Sequence, residues 1–385
     1  MSRNKNQKLN NALYLNTTHL IMCSTGECFI VQTPYCAEKT VIFGRNSLHE
    51  DTVCKAQEVI YYDASMASDG KCDGGADVEV IGSLRMILQK PLPGVWGGEY
   101  GANEKNVCVG ITWSGDEPDA ASGHLLSTDI VRYTLAAATS AVDAVEQIGS
   151  LVSAHSTDKS KSGYVVCDAL EAWLVSCYGK LWAAHRFTEG FRCFPSDSLG
   201  KYPIDKSSEN LGDSLKELGL WNGEDDVNLA ACCDAPPQNI EDVSWCGDKP
   251  KADGSYSLMD MFATLRASSK NEIARSATVS VLTAEGISCH WFTATPMPGE
   301  SVFKPFVFAP NPKISPLTRV PTGDTITLLH KLHAQRKANA INDLKRLEVS
   351  CVNEMNSYLE GHPSPNEELD ELMKDCVEAE VKFYR

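Results

Sequence analysis

Short apolar runs rich in β-branched and aromatic residues, each closed by turn signals, recur along this 385-residue chain from Met22 to Phe308. FIVQTP, TVIFG, EVIYYD, LRMILQK and VCVGITW read as strands on composition and length. YVVCD, AWLVSCYG and LWAAHRF follow one another between Tyr164 and Phe187, as a meander of antiparallel strands does. TVSVL and CHWFTA predict a hairpin, and Pro305 in FKPFVF predicts an edge strand or an irregular segment. Helical spacing over Ser127–Ala138 and Ser140–Ala154, and again from Leu258, places helices between groups of strands. Strands and helices that group in this way predict an α+β layered fold and disfavour a doubly wound sheet.

The remaining segments are read from turn chemistry and periodicity. Ser196 to Lys251 is rich in Ser, Asp, Pro and Gly, with one short helix expected at Leu211–Leu218, and is otherwise surface loop. From Thr325 to Leu359 a single apolar stripe (Leu328, Leu332, Ile341, Leu344, Cys351, Met355, Tyr358) predicts one long helix. Its basic cluster Lys331, His333, Arg336 and Lys337 is expected on the solvated side. Ser364 followed by Pro365 and Glu367 predicts the cap of a final helix. The expected organisation is a mobile tail over 1–20, a main domain over 21–324 and a C-terminal helical segment over 325–385.

Charge and cysteine usage narrow the function. A formal net charge of −16 argues against a nucleic-acid binder, whose phosphate contacts need clustered Lys and Arg. No apolar run reaches the roughly 20 residues a membrane span needs. The 15 cysteines lack metal-ligand spacing, the adjacent Cys232 and Cys233 included, so no metal or other cofactor is expected. Scattered cysteines in a long chain fit a reduced, cytoplasmic protein. Neither a Walker phosphate loop nor a dinucleotide glycine fingerprint occurs.

Several phrases together resemble the secernins, a family related to dipeptidases of the cysteine-type N-terminal-nucleophile hydrolases. They are FGRNS (Phe43–Ser47), VWGGEYGANEKNVCVG (Val95–Gly110), LLSTDIVRYTL (Leu125–Leu135), EAWLVSCYGKLWAA (Glu171–Ala184) and HWFTATPMPGESVFKPFVF (His290–Phe308). They occur in the family's order, and the resemblance covers roughly residues 23 to 360. The resemblance implies a four-layer αββα sandwich of the N-terminal-nucleophile hydrolase type. It also implies an ancestral mechanism in which a cysteine, made residue one by removal of a leader, attacks the scissile carbonyl. Its own freed amine takes the proton, and asparagine and backbone donors hold the oxyanion.

At the catalytic positions the chain departs from that pattern. The family's nucleophile opens a Cys-Asp-Thr triplet before a Phe-Val-rich strand, and an ungapped alignment places Gly26, Glu27 and Cys28 there. Cys28 then sits about 6–7 Å along the strand from the expected chemistry. The family's Asn-Ser-Asp-Arg becomes Asn46, Ser47, Leu48 and His49, which removes an acid and an arginine. Asn103 of the GANE phrase remains, but Ile111 follows Gly110 where the family carries asparagine, and a later asparagine is lost within RCFPSDSL, around Ser196. Arg45, in place of the family's lysine, is expected in a surface ion pair. Structural phrases persist while polar chemistry is replaced, which points to a pseudoenzyme with a structural or scaffold role in a cytoplasmic or cytoskeletal assembly. The alternatives are an active cysteine dipeptidase or amide hydrolase that uses Cys28 (or Cys23) as N-terminal nucleophile, and an adaptor in regulated exocytosis. Protein partners are expected through the N-terminal tail and the helix over 325–359. His185 and His290 in strands, and Asp168 and Glu171 at a turn, are expected to be structural.

Overall fold

The computed structural model describes residues 25–48, 57–66, 71–78, 82–91, 95–115, 117–194, 202–232, 250–268, 274–337 and 339–384. The expected tail over 1–20, Cys23, His49 and Ser196 lie outside the described residues. Strands β1 (Thr25–Val31), β2 (Thr40–Leu48), β10 (Phe191–Phe194), β12 (Ala274–Thr283), β13 (Cys289–Phe292) and β14 (Lys304–Phe306) form a six-stranded sheet in the order β10-β1-β2-β12-β13-β14. An eight-stranded sheet has the order β11-β9-β8-β7-β6-β5-β4-β3. Its strands are β3 (Glu58–Tyr62), β4 (Met86–Lys90), β5 (Tyr100–Asn103), β6 (Cys108–Gly115), β7 (Lys161–Cys167), β8 (Ala172–Tyr178), β9 (Leu181–Phe187) and β11 (Lys206–Ser207). Neighbouring strands in both sheets pair antiparallel. The fold is therefore α+β, built on two large antiparallel sheets.

The side-chain period of two explains why these strands read as near-continuous apolar runs. Cys28 and Ile30 of β1 and Phe43 of β2 point inward and share one buried cluster with Tyr100, Cys108 and Val165 of the other sheet. The alternate residues Phe29 and Val31 point outward into a second cluster, against Met261, Phe262 and Leu265 of helix α5 (Leu258–Ala267) and Cys351 and Met355 of α7 (Ala340–Gly361). On the far side, Val109, Ile111, Tyr164 and Val175 meet helices α1 (Ser127–Ala137) and α2 (Ala141–His155) through Ile130, Leu135, Val145 and Ile148. Both faces of both sheets are thus covered. Ser140 caps α2 by accepting from the Asp143 amide, and Pro305, as predicted, lies in the edge strand β14. The loop region also carries the expected short helix, α3 (Leu211–Glu217), and a further turn of helix, α4 (Leu229–Cys232).

The C-terminal stripe forms two helices where one was expected: α6 (Leu328–Ala334) and α7. The stripe has a gap between Leu332 and Ile341, and the residue that turns inward there is Arg336. Its guanidinium donates to the His333 carbonyl at 2.7 Å and pairs with Glu300, which caps the open end of α6. His333, expected on the solvated side, is buried and hydrogen-bonded to Tyr384 at 3.1 Å. The last helix, α8, runs Leu372–Lys382. It is preceded by a short 3₁₀ turn capped by Asn366 and not by Ser364, because the Asn366 side chain reaches the Glu368 amide at 2.9 Å. Lys304 of β14, fully buried, pairs with Glu380 of α8 at 2.6 Å and donates to the carbonyls of Thr293 and Val302. A buried pair with its remaining donors satisfied fixes α8 onto the sheet edge. Among the described residues no helix is long and apolar enough to cross a membrane.

Candidate functional site

The inner face of β1 carries Gly26, Cys28 and Ile30. Register places Ser47, Arg45 and Phe43 of β2 opposite them. Arg45, expected at the surface, is 1% exposed. The correction follows from strand phase: Arg45 alternates with Phe43 and Val41, so it shares their inward face. Its Nε donates to the Ile111 carbonyl at 3.0 Å, and its Nη1 lies 3.6 Å from Glu99 Oε2. Gly110, across the gap, makes room for this chain of groups. A Cβ there would stand 2.9 Å from the Phe43 ring and 3.3 Å from Arg45 Cδ.

Two β-bulges supply the rest of the cluster. In β6 the register shifts between Ile111 and Trp113. The Ile111 side chain stays in the outer core while its carbonyl accepts from Arg45, and the extra residue, Thr112, hydrogen-bonds the Gly26 carbonyl at 3.1 Å. In β12 the shift falls between Ala274 and Ser276, which turns Arg275 inward to meet Glu99 Oε1 at 2.9 Å. Bulges re-aim side chains in this way. Around Glu99 the network closes through Ser47, through Gln57 Nε2 at 3.0 Å, and on to Gln89 and Ser276. One carboxylate is therefore held between two guanidiniums, all three groups enclosed by the sheets.

This geometry decides what the aligned positions can do. A Cβ built on Gly26 would lie 2.4 Å from Arg45 Nε and 2.4 Å from the Ile111 carbonyl oxygen. The space that a nucleophilic side chain would need at that position is taken by Arg45. Cys28 is the fourth residue of β1, inside the strand and fully buried. Burial pushes its thiol up to about 12, against the opposing pull of Arg45 and the nearby Thr112 hydroxyl. A thiol held so far above its ordinary value stays protonated at neutral pH, and the thiolate is the attacking form.

The other aligned residues have structural partners. Glu27 and Asn46 face outward: Asn46 Nδ2 donates to Glu27 at 3.2 Å and to the Leu265 carbonyl at 3.0 Å, closing the C-terminal turn of α5. Leu48 is buried at the end of β2 between Thr25 and Ala274. Asn103 points to the outer face of its sheet, where its amide donates to Leu135 and Ala138 carbonyls at 2.9 and 2.8 Å and its oxygen accepts from Lys105 and Val107. All its hydrogen-bonding capacity goes to the end of α1 and the β5–β6 turn. Gly26, Cys28 and the Ile111 carbonyl are brought together; Glu27, Asn46 and Asn103 are on other faces.

Elsewhere in the sandwich a second polar line runs from Tyr100 through Ser280 to His290, whose Nδ1 is 2.6 Å from Ser280 Oγ. Cys108 joins it. Burial raises this thiol, but hydrogen bonds from Cys167 and His290 outweigh that and hold it well below its ordinary value. All five side chains are fully enclosed. His185 Nδ1–H donates to the Pro203 carbonyl at 2.9 Å, and Asp168 accepts from three amides around its turn and α2. An open cleft of 620 Å³ is lined by Tyr202, Ile204, Trp221, Asp225, Asp226 and their neighbours, and shares no residue with either cluster. Among the described residues no group of three or more His, Cys, Asp or Glu is placed to hold a metal ion. No protein-family model matches the chain.

Proposed function

We propose that this chain is a secernin-like protein on an N-terminal-nucleophile hydrolase scaffold that has lost peptidase chemistry. In this reading it serves as a structural or scaffold component of a cytoplasmic or cytoskeletal assembly. Two facing antiparallel sheets with helices on both outer sides support the four-layer αββα reading. The observation that carries the loss of catalysis is the Gly26–Arg45 contact: at the aligned nucleophile there is no side chain and no room for one. The Arg45–Glu99–Arg275 cluster replaces a reactive centre with a closed ion network inside the sandwich. A rigid body of this kind, with the polar side of α7 facing solvent, suits attachment better than turnover.

The test is the N-terminal residue and intact mass of the protein isolated from its native source. The proposal expects a chain that retains the residues before Cys28. A mature chain that begins at Cys28 would create the free amine the ancestral mechanism requires, and the scaffold reading would be abandoned for the dipeptidase.

A further inference from the structure

Helices α7 and α8 meet through two cysteines. Cys351 Sγ and Cys376 Sγ are 3.4 Å apart, at van der Waals contact and without a bond between them. Each is slightly exposed, 6% for Cys351 and 8% for Cys376. The pair lies on the seam that seats α8, in one cluster with Val352, Met355 and Leu369, and Glu380, one turn further along the same face of α8, pairs with the buried Lys304.

We propose that Cys351 and Cys376 are a peroxide-responsive disulfide site that covalently fastens α8 to α7. The sulfurs need to approach by about 1.4 Å to reach bonding distance. The roles of the two thiols differ. The hydrogen bond from Cys376 lowers the Cys351 thiol below its usual value, against burial, while Cys376 is raised. Cys351 therefore reacts first. Its thiolate attacks one oxygen of hydrogen peroxide, the O–O bond breaks, and hydroxide leaves with sulfenic acid on Cys351. The Cys376 sulfur then attacks the Cys351 sulfur. The S–S bond forms as the S–O bond breaks, and the departing hydroxide takes the Cys376 proton as water. Two thiols lose two electrons and one peroxide becomes two waters.

A neighbouring pair acts as an internal comparison. Cys108 and Cys167 are register partners across β6 and β7, but both are fully enclosed between the sheets. Access to peroxide therefore favours the C-terminal pair.

The experiment uses the reduced full-length chain, titrated with hydrogen peroxide, alkylated, digested without reductant and mapped by mass spectrometry. The expected first cross-link joins the Cys351 and Cys376 peptides, is two hydrogens lighter than their sum, and disappears on reduction. In Cys376→Ser the intermediate is stranded, so dimedone is expected to mark Cys351. If both cysteines stay alkylatable while other thiols oxidise, or if Cys108–Cys167 links first, the proposal is overturned. The wild-type mapping decides this even where the variant fails to fold.

Discussion

Placing a methyl group on Gly26 sets two effects of opposite sign against each other. Glycine inside a strand is worse than alanine by roughly 0.5–1 kcal/mol, so on backbone entropy alone Gly26→Ala stabilises. The structure predicts the reverse. The new Cβ meets Arg45 Nε and the Ile111 carbonyl oxygen, each at 2.4 Å, and one of these is backbone. Overpacking of this kind costs about 1–3 kcal/mol. Pushing Arg45 away also breaks its bond to the Ile111 carbonyl, worth about 1.5–3 kcal/mol for a charged donor. The net expectation is destabilisation by about 1.5–5.5 kcal/mol. Urea unfolding followed by tryptophan fluorescence reads this as a lower midpoint at unchanged m-value. Gly115→Ala is the control, since a Cβ there meets nothing within 4 Å; it is expected to be neutral or slightly stabilising. A Gly26→Ala protein as stable as wild type would refute the claim that Arg45 occupies the aligned nucleophile position.

Three further outcomes are expected. Glu99→Gln leaves Arg45 and Arg275 buried without their shared countercharge, so unfolding free energy should drop by about 3–5 kcal/mol, measured by the same titration. Cys28 should resist iodoacetamide at pH 8 in the native protein and react only on unfolding, because burial holds its thiol near 12; peptide mapping after timed labelling reads this directly. His333 is held down to about 3, first by burial and then by Lys304 and His330. Its folded value lies below its unfolded one, so the unfolded chain binds the extra proton and stability falls as pH drops below about 6.5. Between pH 7 and pH 5 this residue accounts for about 2 kcal/mol, and His333→Gln should flatten the pH dependence of stability across that window.

Strand identity was legible because the sandwich buries both faces of its sheets, and the resulting Val, Ile and Phe runs leave turns as the only polar punctuation. The Tyr164–Phe187 meander followed from this, and the edge position of Pro305 from its missing backbone N–H. The long C-terminal helix misled because periodicity counts apolar residues and is blind to Arg336, which folds back to cap α6. At the candidate site, Gly26, Leu48 and Ile111 were singled out only through the resemblance to a known pattern. Arg45 was not legible from that pattern, although the phase of VIFGR already placed it with Phe43. A charged side chain on an inward face says that a partner exists but not where. Here the partners are Glu99 and a carbonyl at Ile111, delivered by bulges that leave no local trace in sequence. Asn103, retained in the GANE phrase, serves the scaffold: its amide ends a helix and its oxygen closes a turn.

The most direct test of the proposed loss of catalysis is hydrolysis itself. Full-length protein from its native source is incubated with a panel of dipeptides beside a Cys28→Ala variant, and released amino acids are quantified. The account predicts background release from both, unchanged by iodoacetamide. Hydrolysis by the wild type that disappears in Cys28→Ala would contradict it and make Cys28 a working nucleophile.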